Sequence, residues 1–158
     1  MFGETGTLAK DGDVNVITFR RSLDASPERV WEALTTEKGL TSWLAVSAKV
    51  GGREGGDIAI EFDDGQAVSG TISRWDPTTQ FAHTWVINGE ISSDVTYALA
   101  ATGGRTELTL VHTGLPDEMC GGYTPGWHAF LARLAADLEG GSVPEWLTVF
   151  EEVAPAYQ

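Results

Sequence analysis

Residues 22–44 read SLDASPERVWEALTTEKGLTSWL, and their order decides the fold. Leu23 ends an alternating stretch that begins at Val14. Ile17, Phe19 and Leu23 share one parity and Thr18, Arg20 and Ser22 the other, which is the pattern of a half-buried strand. Ser26-Pro27-Glu28 then supplies a hydroxyl cap, a proline at the first helical position and an acid near the positive end of the helix dipole. Val30, Trp31 and Leu34 fall three and four apart and make one apolar side. Gly39 breaks that pattern, and Leu40, Trp43 and Leu44 open a second short helix or turn. A strand running straight into two short helices, each carrying a Trp, suits a sheet that wraps a cavity and is plugged by helices.

Upstream, residues 1–12 are polar and contain glycine, and read as a flexible lead-in. Downstream, strands are expected at 45–50, 57–62, 67–75, 80–87, 93–101 and 106–113. Short turns such as Gly51-Gly52, Asp63-Asp64-Gly65, Asp76-Pro77 and Gly103-Gly104 close them, and Asn88-Gly89 is a strong hairpin signal. Such a run makes an antiparallel meander. The period then changes. Thr124-Pro125 is a second cap-plus-proline start, and Trp127, Phe130, Leu131, Leu134, Ala135 and Leu138 form one helical stripe that Gly140-Gly141 stops. Trp146, Val149, Phe150 and Val153 make a last amphipathic segment.

The expected class is α+β: a curved antiparallel sheet of about seven strands wrapped around a long C-terminal helix, with two short helices after strand 1. The domain spans 13–141, and 142–158 is a C-terminal amphipathic extension packed on it. That extension is open to three roles: packing on the domain, a lid over the cavity, or a contact in a homodimer. Strands curving round one helix leave space between sheet and helix, so a small-molecule cavity is expected there.

A length of 158 residues points to one domain. The single cysteine, Cys120, cannot make an internal disulfide, which fits a reducing cytoplasm. The formal net charge is −13 and the ten Lys and Arg are scattered, so neither nucleic acid nor an anionic membrane is expected as a partner. No apolar run approaches the ~20 residues of a membrane span, and the first residues lack a basic-then-apolar leader pattern. His112, Asp117, Glu118 and Cys120 fit no zinc spacing, and no cofactor motif is present, so neither metal nor cofactor is expected.

Arg21 lies on the inward parity of the first strand. It reads either as an anion or carbonyl anchor in the cavity, or as a rim residue paired with Glu28 or Glu32. His112 shares parity with Leu108 and Leu110, and His83 lies between Phe81 and Trp85. Both point inward and could meet a ligand or be satisfied within the core. His128 is expected on the outer side of the last helix. Trp43, Trp85, Tyr97, Trp127 and Leu131 are the expected apolar lining, with Trp43 near the mouth.

This order of elements resembles the helix-grip (Bet v-like) superfamily of START-like and polyketide-cyclase-like (SRPBCC) domains. Within it, the chain is similar to the family named for the activator of the heat-shock protein 90 ATPase. The resemblance rests on Arg21, Asp24-Ala25, Ser26-Pro27, Val30-Trp31, Leu34-Thr35 and Trp43, then Val50-Gly51-Gly52, Gly70, Pro77 and Thr84-Trp85. It continues through Thr106, His112-Thr113-Gly114-Leu115, Glu118 and Gly126-Trp127. It covers about residues 14–140. The family often has two adjacent Trp where this chain has Trp43-Leu44. The two complementary apolar stripes and the aromatic side chains point to binding of a hydrophobic small molecule between the sheet and the final helix. Two further activities also occur among such proteins: cyclase- or hydratase-like catalysis, for which Arg21, His83 and His112 are the available actors, and stimulation of the chaperone's ATPase.

Overall fold

In the computed structural model, which describes residues 2–158, the alternating stretch forms strand β2 (Val14–Leu23) in an antiparallel sheet. The sheet has eight strands in the order β1-β2-β8-β7-β6-β5-β4-β3. These are β1 (Thr7–Asp11), β3 (Ser47–Val50), β4 (Asp57–Glu61), β5 (Ala67–Asp76), β6 (Gln80–Ile87), β7 (Ile91–Thr102) and β8 (Arg105–Leu115). The meander expected from the turns is present, with strand ends within two residues of those read from the sequence. The extra strand is β1, which lies where a flexible lead-in was expected. All its side chains are exposed, so it carries no apolar alternation, and it is held by main-chain pairing from Thr7↔Thr18 to Asp11↔Val14. At the Asn88-Gly89 turn both residues have positive φ, 52° and 72°, as a tight two-residue hairpin between twisted strands requires.

Two rows of inward side chains cross the sheet. Ile17, His112, Val95, His83 and Ile72 are successive cross-strand partners in one row, and Phe19, Leu110, Tyr97, Phe81 and Trp75 in the next. Both inward histidines therefore lie in the same layer, separated only by the strand that carries Val95.

Helices α1 (Pro27–Thr35) and α2 (Glu37–Trp43) follow β2. Ser26 Oγ accepts from the Arg29 N–H at 3.2 Å and Thr36 Oγ1 from the Gly39 N–H at 2.9 Å, so each helix has its side-chain cap. Gly39 sits inside α2, against α1, where the chain cannot admit a side chain. A Cβ there would stand 2.3 Å from the Glu32 carbonyl oxygen and 2.6 Å from the Ala33 Cα. Gly39→Ala should cost at least ~1–3 kcal/mol by forcing the helices apart. Urea unfolding checks this, and an alanine variant as stable as the parent would contradict it.

The long helix α3 (Asp117–Leu138) lies across the concave face of the sheet. It begins seven residues before Thr124, so Thr124-Pro125 is not its start. Thr124 instead donates its hydroxyl to the Cys120 carbonyl at 2.8 Å, and Pro125 is interior. An interior proline crowds the carbonyl four residues earlier. Here that residue is Gly121, followed by Gly122, so no side chains add to the crowding. The tail forms α4 (Trp146–Val153) and a 3₁₀ turn (Ala154–Tyr157). Val149 and Val153 bury themselves against Ala129 and Ala132 of α3.

His128 is buried rather than outward. Its Nε2 donates to the Phe2 carbonyl at 3.0 Å, and its Nδ1 accepts from the Tyr157 hydroxyl at 2.6 Å. The same hydroxyl accepts from the Gly6 N–H at 2.9 Å. Both ends of the chain fold over this face of α3, and neither the stripe nor its period could signal that cover.

Candidate functional site

Helix α3 does not fill the concave face along its whole length. Between its N-terminal half, strand β6 and helix α4 lies a cavity of about 970 Å³. Trp85 and Ile87 come from β6, Phe62 from the end of β4, Tyr123, Trp127 and Phe130 from α3, and Trp146 and Phe150 from α4. Their rings form a connected lining. Centroids are 6.0 Å apart for Phe62–Trp85, 5.3 Å for Trp85–Trp127 and 5.8 Å for Phe62–Phe130. They are 5.6 Å apart for Phe130–Trp146 and 4.9 Å for Trp146–Phe150. Such spacings are those of favourable edge and offset contacts. The tail thus packs on the domain and also supplies one wall of the cavity.

Tyr123 brings a polar group to the ring-lined surface. Its hydroxyl oxygen accepts from Trp85 Nε1 at 3.0 Å, which leaves its own proton available to a guest. Burial raises its pKa, so it stays a phenol. Arg133 also borders the cavity, with two of its three guanidinium nitrogens bonded to the fold. Nε donates to the Trp43 carbonyl at 3.0 Å and one terminal nitrogen to the Pro144 carbonyl at 2.7 Å. One side chain therefore ties α2, α3 and the segment leading into α4.

Behind the ring wall, the indole of Trp127 donates to His112 Nδ1 at 2.9 Å. An indole N–H can only donate, so His112 Nδ1 carries the lone pair and its proton is on Nε2. Nε2–H then donates to Ser93 Oγ at 2.7 Å, and Ser93 donates to the Trp85 carbonyl at 3.3 Å. This chain ties α3 to β8 and, through it, to β7 and β6, and uses both imidazole nitrogens. Burial, with a smaller contribution from His83, pushes the pKa of His112 down to about 3. His83 donates from Nδ1 to the Thr84 carbonyl at 2.8 Å, and burial pushes its pKa down to about 4 against that bond. Both histidines are neutral at physiological pH.

The candidates named from the sequence divide into three groups. Trp85 and Trp127 line the large cavity. Arg21 and Leu131 line a separate cavity of about 390 Å³ between β2 and the C-terminal half of α3. Trp43, His83, Tyr97 and His112 are buried and line neither. Trp43 is not at a mouth: it is fully buried and donates from Nε1 to the Ala33 carbonyl at 2.9 Å. Arg21 pairs with neither Glu28 nor Glu32. It donates to the Arg20 and Glu4 carbonyls at 2.8 and 2.7 Å and lies over the Phe19 ring at 5.2 Å. Its Nε has no hydrogen-bond partner among the described residues, and burial lowers its pKa. Arg21, His83 and His112 therefore do not converge on one cavity.

Sequence reasoning did not select Phe62, Tyr123, Phe130, Trp146 or Phe150 as lining. A signal for the earlier start of α3 was present, since Met119, Tyr123 and Trp127 recur every four residues.

An antiparallel sheet curved around a C-terminal helix, with a ring-lined cavity between them, defines a helix-grip protein of the START-like and polyketide-cyclase-like superfamily. The chain belongs to the family described as activator of Hsp90 ATPase homolog 1-like protein, whose sequence model matches residues 24–139. It is similar to CalU16 from Micromonospora echinospora, at 27% identity over 97% of this chain and 92% of that one, with a TM-score of 0.77. It is also similar to the protein encoded by gene BPP1335 from Bordetella parapertussis, at 26% identity over 99% and 90% of the two chains, with a TM-score of 0.73. The Aha1 protein from Colwellia psychrerythraea shares the fold at 24% identity over 80% of this chain and 98% of its own, with a TM-score of 0.69, and is a dimer in solution. No curated protein matches the chain. No helix among the described residues is long and apolar enough to cross a membrane.

Proposed function

We propose that the chain binds a hydrophobic small molecule with a flat or aromatic body in the cavity between β6 and α3. The observation that carries this reading is the connected set of rings around an open space of about 970 Å³. A volume of that order suits a small organic ligand, and an apolar surface of this kind left uncovered marks a binding site. Tyr123 offers one hydrogen bond to orient the guest. Binding is favoured over turnover because His83 and His112 are neutral and bonded inside the protein, while Arg21 stands at the other cavity.

Native mass spectrometry of protein purified from its own host is expected to find an apolar molecule bound, and Gly122→Phe is expected to abolish its retention. Gly122 lines the cavity, and a Cβ there meets nothing within 4 Å, so a new ring would occupy the ligand's space. Phe has a somewhat higher helix propensity than Gly, and a urea unfolding curve of the variant separates loss of ligand from loss of fold. Equal retention by parent and variant would sink the proposal. So would a parent that carries nothing and binds no aromatic probe.

A further inference from the structure

The charges around the cavity are as lopsided as its wall is aromatic. Four carboxylates border it: Asp63 and Asp64 on the β4–β5 turn, Glu118 in the first turn of α3, and Glu145 just before α4. They come from three separate elements, and each is exposed to solvent. None is in an ion pair among the described residues: the three pairs there are Lys10–Asp117, Arg74–Asp76 and Arg105–Asp24. Asp64 accepts only from the neutral Gln66, through its backbone and side-chain nitrogens at 3.0 and 2.7 Å. The one cation on the lining, Arg133, has donors turned onto the Trp43 and Pro144 carbonyls. The cavity therefore opens through an acidic mouth onto a wall of ring faces, in a chain whose formal charge is already −13.

Both features act with the same sign. A carboxylate rim attracts cations and repels anions over about a Debye length, ~10 Å at 0.1 M salt. Ring faces carry negative quadrupole charge and attract ammonium groups, Trp most strongly. Against the four carboxylates, the lining's free donors are the neutral Tyr123 hydroxyl and the outer nitrogen of the single Arg133, so its balance is strongly negative.

We infer that the cavity selects a cationic ligand, an amine or quaternary ammonium carried on an aromatic or apolar body. This rests on the binding reading above and adds the charge class of the guest. The apolar body lies between Trp85, Trp127 and Phe130, and the ammonium stands at the mouth, between Trp146 and the carboxylates of Asp63, Glu118 and Glu145.

Three probes of one shape test it: 2-naphthylmethylammonium, 2-naphthylmethanol and 2-naphthoate. Their affinities are measured by tryptophan fluorescence and by NMR shifts, at 20 mM and at 500 mM NaCl. The ammonium is expected to bind about tenfold more tightly than the alcohol at low salt, with the carboxylate weakest, and high salt is expected to compress that order. In Asp63→Asn/Asp64→Asn/Glu118→Gln/Glu145→Gln the ratio of ammonium to carboxylate affinity should fall toward one. The salt series on the parent gives the same answer should that variant fail to fold. Equal affinities for all three probes, or tightest binding of the carboxylate, would overturn the charge preference and leave the binding reading standing. Failure of all three to bind at millimolar concentration would overturn both.

Discussion

Lowering the pH from 6.5 to 4 is expected to remove several kcal/mol of stability, with unfolding in urea moving steadily to lower concentration across that range. The cause is the row that holds Ile17, His112, Val95, His83 and Ile72. In the unfolded chain both histidines take up protons near pH 6.5. In the fold they do so only near pH 3 for His112 and pH 4 for His83. Between those limits the unfolded state binds more protons, so stability is complete above pH 6.5 and falls as pH falls. Each histidine contributes a slope of about 1.4 kcal/mol per pH unit, against a typical total of 5–15 kcal/mol for a domain. Burial of His128 lowers its pKa and acts in the same direction. The exposed Asp117, held below its ordinary value of 3.8 by Asn15 and Lys10, starts to lose its contribution only below about pH 5, so the slope between 6.5 and 5 reports the histidines. Unfolding curves at pH 7, 6, 5 and 4.5 measure the slope, and His83→Leu should reduce it. A stability that does not change between pH 6.5 and 4 would mean that the histidines are not held neutral.

Trp127→Ala should cost about 3–5 kcal/mol, as expected for deleting a fully buried indole. It would also leave His112 Nδ1 without its donor and open the histidine to the large cavity, whose wall Trp127 forms. Water would then reach the imidazole, and its pKa should rise toward the ordinary 6.5, weakening the acid response described above. Trp127→Phe separates the two effects. The ring remains and the donor is lost, so about 1–3 kcal/mol should go, with a smaller change in the titration. Urea unfolding and an NMR titration of the His112 ring follow both quantities. An alanine variant that matches the parent in stability, with His112 still silent down to pH 4, would show that Trp127 is not the bolt between helix and sheet.

The alternation of Ile17, Phe19 and Leu23, the capped start at Ser26-Pro27 and the period of Trp127–Leu138 were enough to read a sheet closed around a helix. Each is a local pattern with one physical meaning. The same rules misread Thr124-Pro125 because a start signal can also occur within a helix when glycines precede it. Strand β1 was missed because an edge ribbon held by main-chain bonds needs no apolar face. Its turn, Gly12-Asp13, was the one clue. The cavity lining was half legible. Trp85 followed from strand parity and Trp127 from the helical stripe, and Phe62 shares the parity of Ile58 and Ile60, whereas Trp146 and Phe150 enter it through the way α4 comes to rest, which no periodicity encodes. Parity puts a side chain inside but does not tell packed from open interior, and His83, Tyr97 and His112 fall on the packed side.

His128, Tyr157, Phe2 and Gly6 meet in one small knot. The segments at Phe2–Gly6 and at Tyr157 are thereby tied together through one helix residue, and they cannot loosen as independent events. Peeling away the last residues removes the hydroxyl that holds Gly6, and lifting the first residues strips His128 of its Phe2 partner. Loosening of either end is felt at the other, more than 150 positions away along the chain.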